Sequence, residues 1–220
     1  MRQAWAIGAA AALMLAPGQA SAHPHIFIDA GVEVIFDDQG QASALRISWT
    51  YDDLYSLLVI EERGLDGDYD GVLTPEEAAQ LSGFDMAWIE GFAGDSYALL
   101  GEAPLVLSGP SEWSASYQDG KITSTHLRQL AAPVAVGATP LVVQVYDPGF
   151  YTSYTIASEP KLIGAAPGCS AQAFGPDPET ADETLRAALA EYSGTESVEA
   201  DFPAVGAAFA EEVQVTCSGG

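Results

Sequence analysis

The segment Asp66–Glu77 constrains the fold more than any other part of the sequence. It reads D-G-D-Y-D-G-V-L-T-P-E-E, with acidic residues at positions 1, 3 and 5, glycine at position 6 and glutamate at position 12. This spacing matches the calcium loop of an EF-hand, which joins two helices. Without a cation the converging carboxylates would repel one another, so a purely structural turn is an unfavourable use of this sequence.

Six residues of this loop are the expected ligands of a bound Ca²⁺. They are Asp66, Asp68 and Asp70 through one carboxylate oxygen each, Val72 through its carbonyl, Thr74 through water, and Glu77 through both carboxylate oxygens. A single EF-hand exposed to extracellular calcium concentrations favours a structural role of the ion over signalling. The alternative is an acidic surface loop that binds no ion.

Helices are predicted on both sides of the loop. The first is capped by Asp52 or Asp53 and is predicted to end near Gly64. After the loop, Thr74 and Glu77 form a capping box with proline at the first helical position. The second helix has an apolar stripe made of Leu81, Phe84, Trp88 and Phe92. We therefore expect an inserted helix–calcium loop–helix segment at about residues 53–92.

The rest of the sequence has the alternating pattern of antiparallel strands. Two runs separated by Asp37–Gly40 predict a β-hairpin, and a second hairpin over Glu112–Leu130 turns at Asp119-Gly120. A third is predicted to pair Leu141–Tyr146 with Phe150–Ile156.

A helix at Ala181–Tyr192 and a closing strand at Glu212–Cys217 complete the predicted elements. The chain has 220 residues, of which 48% are hydrophobic, enough for one buried core. Residues 23–220 are therefore predicted to form a single α+β domain, rich in antiparallel β-structure, with the helical segment inserted.

The first 22 residues have the pattern of a signal peptide. Arg2 precedes an apolar run from Ala4 to Ala16, a Pro-Gly break and the small-residue triplet Ala20–Ala22. The apolar run is shorter than the roughly 20 residues that a membrane-spanning helix needs. We therefore expect export to the periplasm, cleavage after Ala22, and no membrane span once the leader is removed.

Cys169 and Cys217 are the two cysteines of the chain. In an oxidising compartment a disulfide between them is the expected state. Two free thiols or a metal-binding pair are the alternatives, and the cysteines lack C-x-x-C spacing.

The formal net charge of −24 excludes some function classes. It repels nucleic acid and attracts cations, although scattered carboxylates can serve solubility alone. Outside the loop, no Ser-His-Asp set, cysteine nucleophile, phosphate-binding loop or dedicated carboxylate pair can be identified. We therefore do not expect an enzyme.

The histidines suggest a second metal site. Cleavage after residue 22 would make His23 the first residue and His25 the third, so an amine and two rings could chelate copper, zinc, nickel or cobalt. The alternative amino-terminal geometry needs an ionised amide that Pro24 lacks. His126, on a predicted strand, is a further candidate ligand. The competing interpretation is a polar amino terminus that binds nothing.

Several motifs together resemble a known family. They are His23–Asp29, Ser48–Asp52, the calcium-like loop, Tyr146–Pro148 with Phe150–Tyr151, and Ala166–Cys169. The sequence resembles the periplasmic proteins grouped as domain of unknown function 1007. The resemblance implies a periplasmic component of ABC-type transport whose partner is an inner-membrane nickel, cobalt or zinc permease. Many family members have degenerate EF-hand-like loops, so the calcium prediction depends on the residues of this chain.

Three functions follow from these features. The first is a periplasmic calcium-binding accessory protein that also holds a transition metal for transport. The second is a calcium-stabilised structural or protein-interaction module with no transition-metal role. The third, favoured least, is a copper oxidoreductase built on a histidine brace.

Overall fold

The computed structural model describes residues 24–191 and 203–218. The predicted signal peptide, its cleavage site and His23 lie outside these residues. Within them the strands in chain order are β1 (Ile26–Phe36), β2 (Ala42–Tyr51), β3 (Ser96–Leu100), β4 (Ala103–Leu105), β5 (Ser111–Gln118), β6 (Lys121–Val134), β7 (Leu141–Val145), β8 (Thr152–Ile156), β9 (Lys161–Ile163), β10 (Cys169–Phe174) and β11 (Glu211–Cys217). The helices are α1 (Asp53–Arg63), α2 (Pro75–Leu81) and α3 (Pro178–Ala190), and a short 3-10 helix covers Gly206–Phe209.

The strands form two sheets, consistent with the predicted α+β class. The first sheet has the order β5-β6-β2-β1-β8, and β9 also pairs with β1. The second has the order β10-β11-β7-β3-β4. One hydrophobic cluster contains residues of both sheets, including Val34, Ile47, Val143 and Val213, each fully buried. Burial of one such side chain contributes about 1.5–3 kcal/mol to folding, so the stacked sheets are the main source of stability.

The first two predicted hairpins are confirmed. β1 and β2 pair antiparallel from Ile28 opposite Tyr51, and β5 pairs antiparallel with β6. The β5–β6 turn has positive φ at Asp119 (52°) and Gly120 (81°), which matches a type I′ turn.

The third predicted hairpin is wrong, because β7 and β8 lie in different sheets. The chain crosses between the sheets at Asp147, whose carboxylate accepts hydrogen bonds from the Gly149 and Thr152 N–H groups at 2.8 and 3.0 Å. This turn directs β8 to the free edge of β1, where it pairs in parallel. β9 also pairs with β1 in parallel, so the first sheet is mixed and not purely antiparallel.

Helix α1 begins and ends where the sequence predicts. The Asp52 carboxylate accepts from the Tyr55 N–H at 2.9 Å, and Gly64 ends the helix with φ 64°. Fully buried Ser56 fixes the helix to the first sheet. Its hydroxyl donates to the Tyr51 carbonyl at 3.3 Å and accepts from the Ile122 N–H at 2.9 Å.

Helix α2 begins as predicted but is shorter. Both hydrogen bonds of the predicted Thr74–Glu77 capping box are present. The helix ends at Leu81 and does not continue to residue 92, because Gly83 takes a φ of 73° that reverses the chain. The aromatic residues beyond it fold back over the first sheet, with the Trp88 ring 6.3 Å from that of Trp49.

The predicted disulfide between Cys169 and Cys217 is present, with the two Cα atoms 3.9 Å apart. The cysteines are directly opposite in the β10–β11 pair. A disulfide is compatible with an exported protein. No helix in the described ranges is long and apolar enough to cross a membrane.

Removing the Ser56 hydroxyl tests how α1 is held. In Ser56→Ala the buried Ile122 N–H loses its acceptor, which costs about 1–3 kcal/mol of unfolding free energy in denaturant titration. Leu57→Ala on the same helix is the control. Because Leu57 is 52% exposed, this change should lower the unfolding free energy by less than Ser56→Ala does. Equal stability of Ser56→Ala and the wild type would contradict the assigned hydrogen bond.

Candidate metal centre

The predicted loop brings three of its carboxylates together. One oxygen each from Asp66, Asp68 and Asp70 lies within 4.8 Å of the others. Three anionic oxygens at this spacing repel one another and present hard ligands to a divalent cation. Asp66 is 8% exposed, whereas Asp68 and Asp70 are exposed, so the cluster opens to solvent on one side.

Backbone N–H groups hold the carboxylates of Asp66 and Asp70 in place. The Asp66 carboxylate accepts from the N–H groups of Asp70 and Gly71, both at 3.1 Å. The Asp70 carboxylate accepts from the Val72 N–H at 2.8 Å. Asp66 and Gly71 both have positive φ, 53° and 78°, and this folds the chain around the first aspartate.

Glu77 joins the two ends of the loop but lies outside the three-aspartate group. One of its oxygens accepts from the Asp66 N–H at 3.1 Å. The other accepts from the Thr74 N–H at 2.9 Å and the Thr74 hydroxyl at 2.8 Å. These bonds to Thr74 lower the pKa of Glu77, because they stabilise the ionised carboxylate. The Glu77 carboxylate is thus ionised and fixed at the end of the loop, where the EF-hand pattern predicts the closing ligand.

The remaining loop residues fit the pattern in part. Leu65 is buried just before the loop, and Leu73 packs against the core near its end, so both ends are anchored. The Val72 side chain is 66% exposed. The Thr74 hydroxyl donates to the Glu77 carboxylate and accepts from the Glu77 N–H, which is its helix-capping role.

The structure does not bring His25 and His126 together. His25 is exposed just before β1, and its ring lies 4.6 Å from the Tyr151 ring. The backbone N–H of His25 donates to the Tyr151 carbonyl at 2.8 Å. His126 is opposite Ile47, which is opposite Val32 of β1. His25 precedes Val32 by seven residues, or about 23 Å along an extended strand. His126 therefore cannot complete a metal shell with His25.

His126 is buried against two tryptophan rings. The ring is fully buried, 4.7 Å from the Trp49 ring and 5.3 Å from the Trp88 ring. Burial, and next to it the charges of Arg128 and Arg46, lower its pKa to about 4. His126 is therefore neutral at pH 7 and belongs to the core.

The comparison with protein families covers almost the whole chain. Residues 8–217 match the family described as protein of unknown function (DUF1007). The chain belongs to this family. No match is found among curated proteins.

This DUF1007 protein has a buried polar cluster that the sequence did not reveal. The Asp85 carboxylate accepts from the hydroxyl groups of Tyr51, at 2.8 Å, and Ser124. Its other oxygen, the Trp49 indole N–H and both His126 nitrogens have no hydrogen-bond partner among the described residues. Burial raises the pKa of Asp85. The signal in the sequence is the spacing of Asp85, which a helix would place on the same apolar face as Leu81 and Trp88.

Protonation of His126 should destabilise the DUF1007 protein at low pH. The pKa of the folded-state ring, about 4, is below the unfolded value near 6.5, so the unfolded chain binds more protons between these values. The contribution to stability is present above pH 6.5 and falls by up to about 3 kcal/mol towards pH 4.

Replacing His126 with phenylalanine removes this titration without breaking a hydrogen bond. In the presence of chelator, the unfolding free energy of His126→Phe should therefore decrease less than that of the wild type between pH 6.5 and 4. Parallel pH profiles for the two proteins would show that the histidine titrates normally.

Proposed function

We propose that the protein is a periplasmic calcium-binding accessory protein in which Ca²⁺ stabilises the helical insertion between β2 and β3. The observation that carries the proposal is the convergence of the Asp66, Asp68 and Asp70 carboxylates within 4.8 Å, in a loop with EF-hand spacing.

The donor set suits calcium better than a softer metal. Carboxylate and carbonyl oxygens are the ligands that Ca²⁺ prefers, and the loop contains no sulfur or imidazole group. On binding, Glu77 would exchange its hydrogen bonds to Thr74 and Asp66 for the ion, and the Val72 carbonyl would complete the shell. The loss of these hydrogen bonds opposes binding and favours a modest affinity, suited to extracellular calcium concentrations.

Calcium would act on the way the helices are joined. Helix α1 packs on β6 and α2 packs on β5, and the loop connects the two helices. An ion that binds the first and last loop residues would restrict the relative movement of the helices. The expected gain in stability follows from mass action, because the ion binds the folded loop and not the unfolded chain.

Calcium should raise the melting temperature of the chelated protein. For a dissociation constant of about 0.1–1 mM, roughly 10 mM Ca²⁺ stabilises by about 1.4–2.7 kcal/mol, or roughly 3–10 °C by thermal scan. Asp68→Asn should lose most of this increase. The variant should still fold, since the Asp68 side chain is exposed and has no hydrogen bond within the described residues.

Asp38→Asn is the matched control, because Asp38 is another exposed aspartate in a turn. It should retain the full calcium response, which separates site binding from general screening of the negative charge. An equal calcium response in Asp68→Asn and Asp38→Asn would refute the site, as would no response in the wild type.

A second candidate function is binding of a transition metal at the processed amino terminus, in association with an inner-membrane metal permease or ABC transporter. The position of His25 supports it, since the exposed imidazole lies at the outer end of β1, next to the residues that cleavage would make terminal. The resemblance to periplasmic transport components supports the same partner. His126 is not a ligand in this proposal, because it is fully buried and distant from His25.

Titration of the correctly processed protein with copper, zinc, nickel and cobalt tests this second function. We expect one equivalent of at least one metal to bind, with loss of affinity in His25→Ala and after addition of one residue before His23. Retained affinity in the extended protein would exclude a ligand amine. Absence of binding for all four metals would favour the alternative, a calcium-stabilised structural or interaction module.

A further inference from the structure

A cleft of about 450 Å³ is lined by residues of both sheets and by Trp88, whose ring also contacts that of the buried His126. The chain segment after α2 supplies Trp88 and Phe92, and β6 supplies Arg128. The second sheet supplies the facing wall, which includes Tyr97, Leu99, Leu105, Gln144 and Tyr146. Clefts of about 300–1,000 Å³ commonly hold small organic ligands.

Arg128 is held rigidly at this cleft. Its side chain is 5% exposed, and its guanidinium lies 5.1 Å from the centre of the Trp88 ring. Nη1 donates to the carbonyls of Ala93 and Ser96 at 2.6 and 3.0 Å, and Nε donates to the Ser108 carbonyl at 2.9 Å. Three of the five N–H bonds of the guanidinium are therefore used.

The other two N–H bonds, on Nη2, have no acceptor in the described part of the chain. Nη2 is not fully enclosed by the protein, so a ligand can reach it. Arg128 lines the cleft, and because Nε and Nη1 are engaged with backbone carbonyls, Nη2 is the guanidinium nitrogen left for a ligand there. A pre-oriented, charged donor thus faces a space large enough for a ligand.

The charge of Arg128 is not matched by an ion pair. Of the six lysines and arginines in residues 24–191 and 203–218, Arg128 alone is buried, and it is absent from the ion pairs, which involve Arg46, Lys121, Lys161 and Arg186. A buried cation without an ion pair is costly. Burial lowers the pKa of Arg128 to about 10, and the charges of Tyr97 and Asp95 offset this only in part. Arg128 has no ion pair even though the chain has a net charge of −24 and therefore an excess of carboxylates.

Nearby carboxylates are bound elsewhere. Asp95 accepts a hydrogen bond from Tyr154 at 2.8 Å, and burial raises its pKa to about 7, so it is only partly ionised at neutral pH. Glu212 accepts from Gln144 at 3.1 Å. The described residues that line the cleft include no carboxylate, and most of its surface is aromatic or aliphatic.

We propose that this cleft binds a small organic carboxylate with an apolar or aromatic body, anchored by Nη2 of Arg128. The carboxylate supplies the missing acceptor and the missing negative charge, while Trp88, Phe92, Leu99 and Leu105 pack against the body of the ligand. The proposal does not depend on the calcium loop. It gives the protein a second ligand, of a different chemical class.

Isothermal titration of the calcium-saturated protein with phenylacetate, benzoate and hexanoate tests the proposal, with phenylacetamide, benzamide and hexanamide as neutral counterparts. At least one carboxylate should bind saturably, and at least about tenfold more tightly than its amide, because only the carboxylate makes a charge-assisted hydrogen bond. Binding should also change the fluorescence of Trp88, which contacts the guanidinium.

Two variants and a control locate the site. Arg128→Met should weaken carboxylate binding at least about tenfold. Leu105→Glu, which places a like charge at the cleft, should do the same and remains informative if Arg128→Met fails to fold. Val106→Glu is the matched control, since Val106 is 72% exposed, outside the lining, and next to Leu105. It should bind as the wild type does.

Three results would overturn the proposal. They are no saturable binding of any of the three carboxylates, equal binding of acid and amide, or equal affinity in Leu105→Glu and Val106→Glu. Circular dichroism of each variant would confirm that the fold is retained.

Discussion

Repulsion among the loop carboxylates is the constraint on which the helical insertion depends. The Asp66 and Asp70 carboxylates are fixed by backbone N–H groups, and an oxygen of Asp68 lies within 4.8 Å of both, so the folded chain holds three like charges close together. Glu77 accepts hydrogen bonds from Thr74 and from the Asp66 N–H, so it caps α2 and joins the loop ends. The arrangement is intelligible if a cation neutralises the aspartates, and it links calcium to the packing of both helices on the first sheet.

Local signals in the sequence predicted local structure well. The capping box at Thr74, the αL residue that ends α1, and the Asp119-Gly120 turn are each decided by a few adjacent residues, and each was found. The disulfide was predicted from two cysteines in a chain whose sequence predicts export. The three converging aspartates were predicted because EF-hand spacing encodes their geometry directly.

Non-local pairing was beyond these signals. Alternation shows that β7 and β8 are strands but does not show which sheet each joins, and the Asp147 turn sends β8 across to β1. The apolar stripe beyond Leu81 had helical spacing, yet Gly83 ends the helix and the same aromatics pack as a loop. Helical spacing therefore predicted the wrong element, and of the predicted stripe Leu81 is buried, Phe84 and Trp88 pack against the core, and Phe92 is exposed.

The buried polar groups could not be located from sequence for a related reason. The spacing of Asp85 marks an acidic residue on an apolar stripe but not the partners it meets. A lone His126 or Arg128 gives no sign of whether it faces core or solvent, because tertiary packing decides this. The structure places all three near Trp88, with His126 in the core and Arg128 at the cleft. The acidic loop Asp66–Glu77 and the cleft are thus connected through residues 82–94, and we propose a different class of ligand for each.

A crystal structure of the protein grown with millimolar calcium tests the central claim most directly. The account predicts one ion bound by Asp66, Asp68, Asp70, the Val72 carbonyl and Glu77, with oxygen–calcium distances of about 2.3–2.6 Å. Density with no ion among the aspartates, and Glu77 still bonded to Thr74, would contradict it.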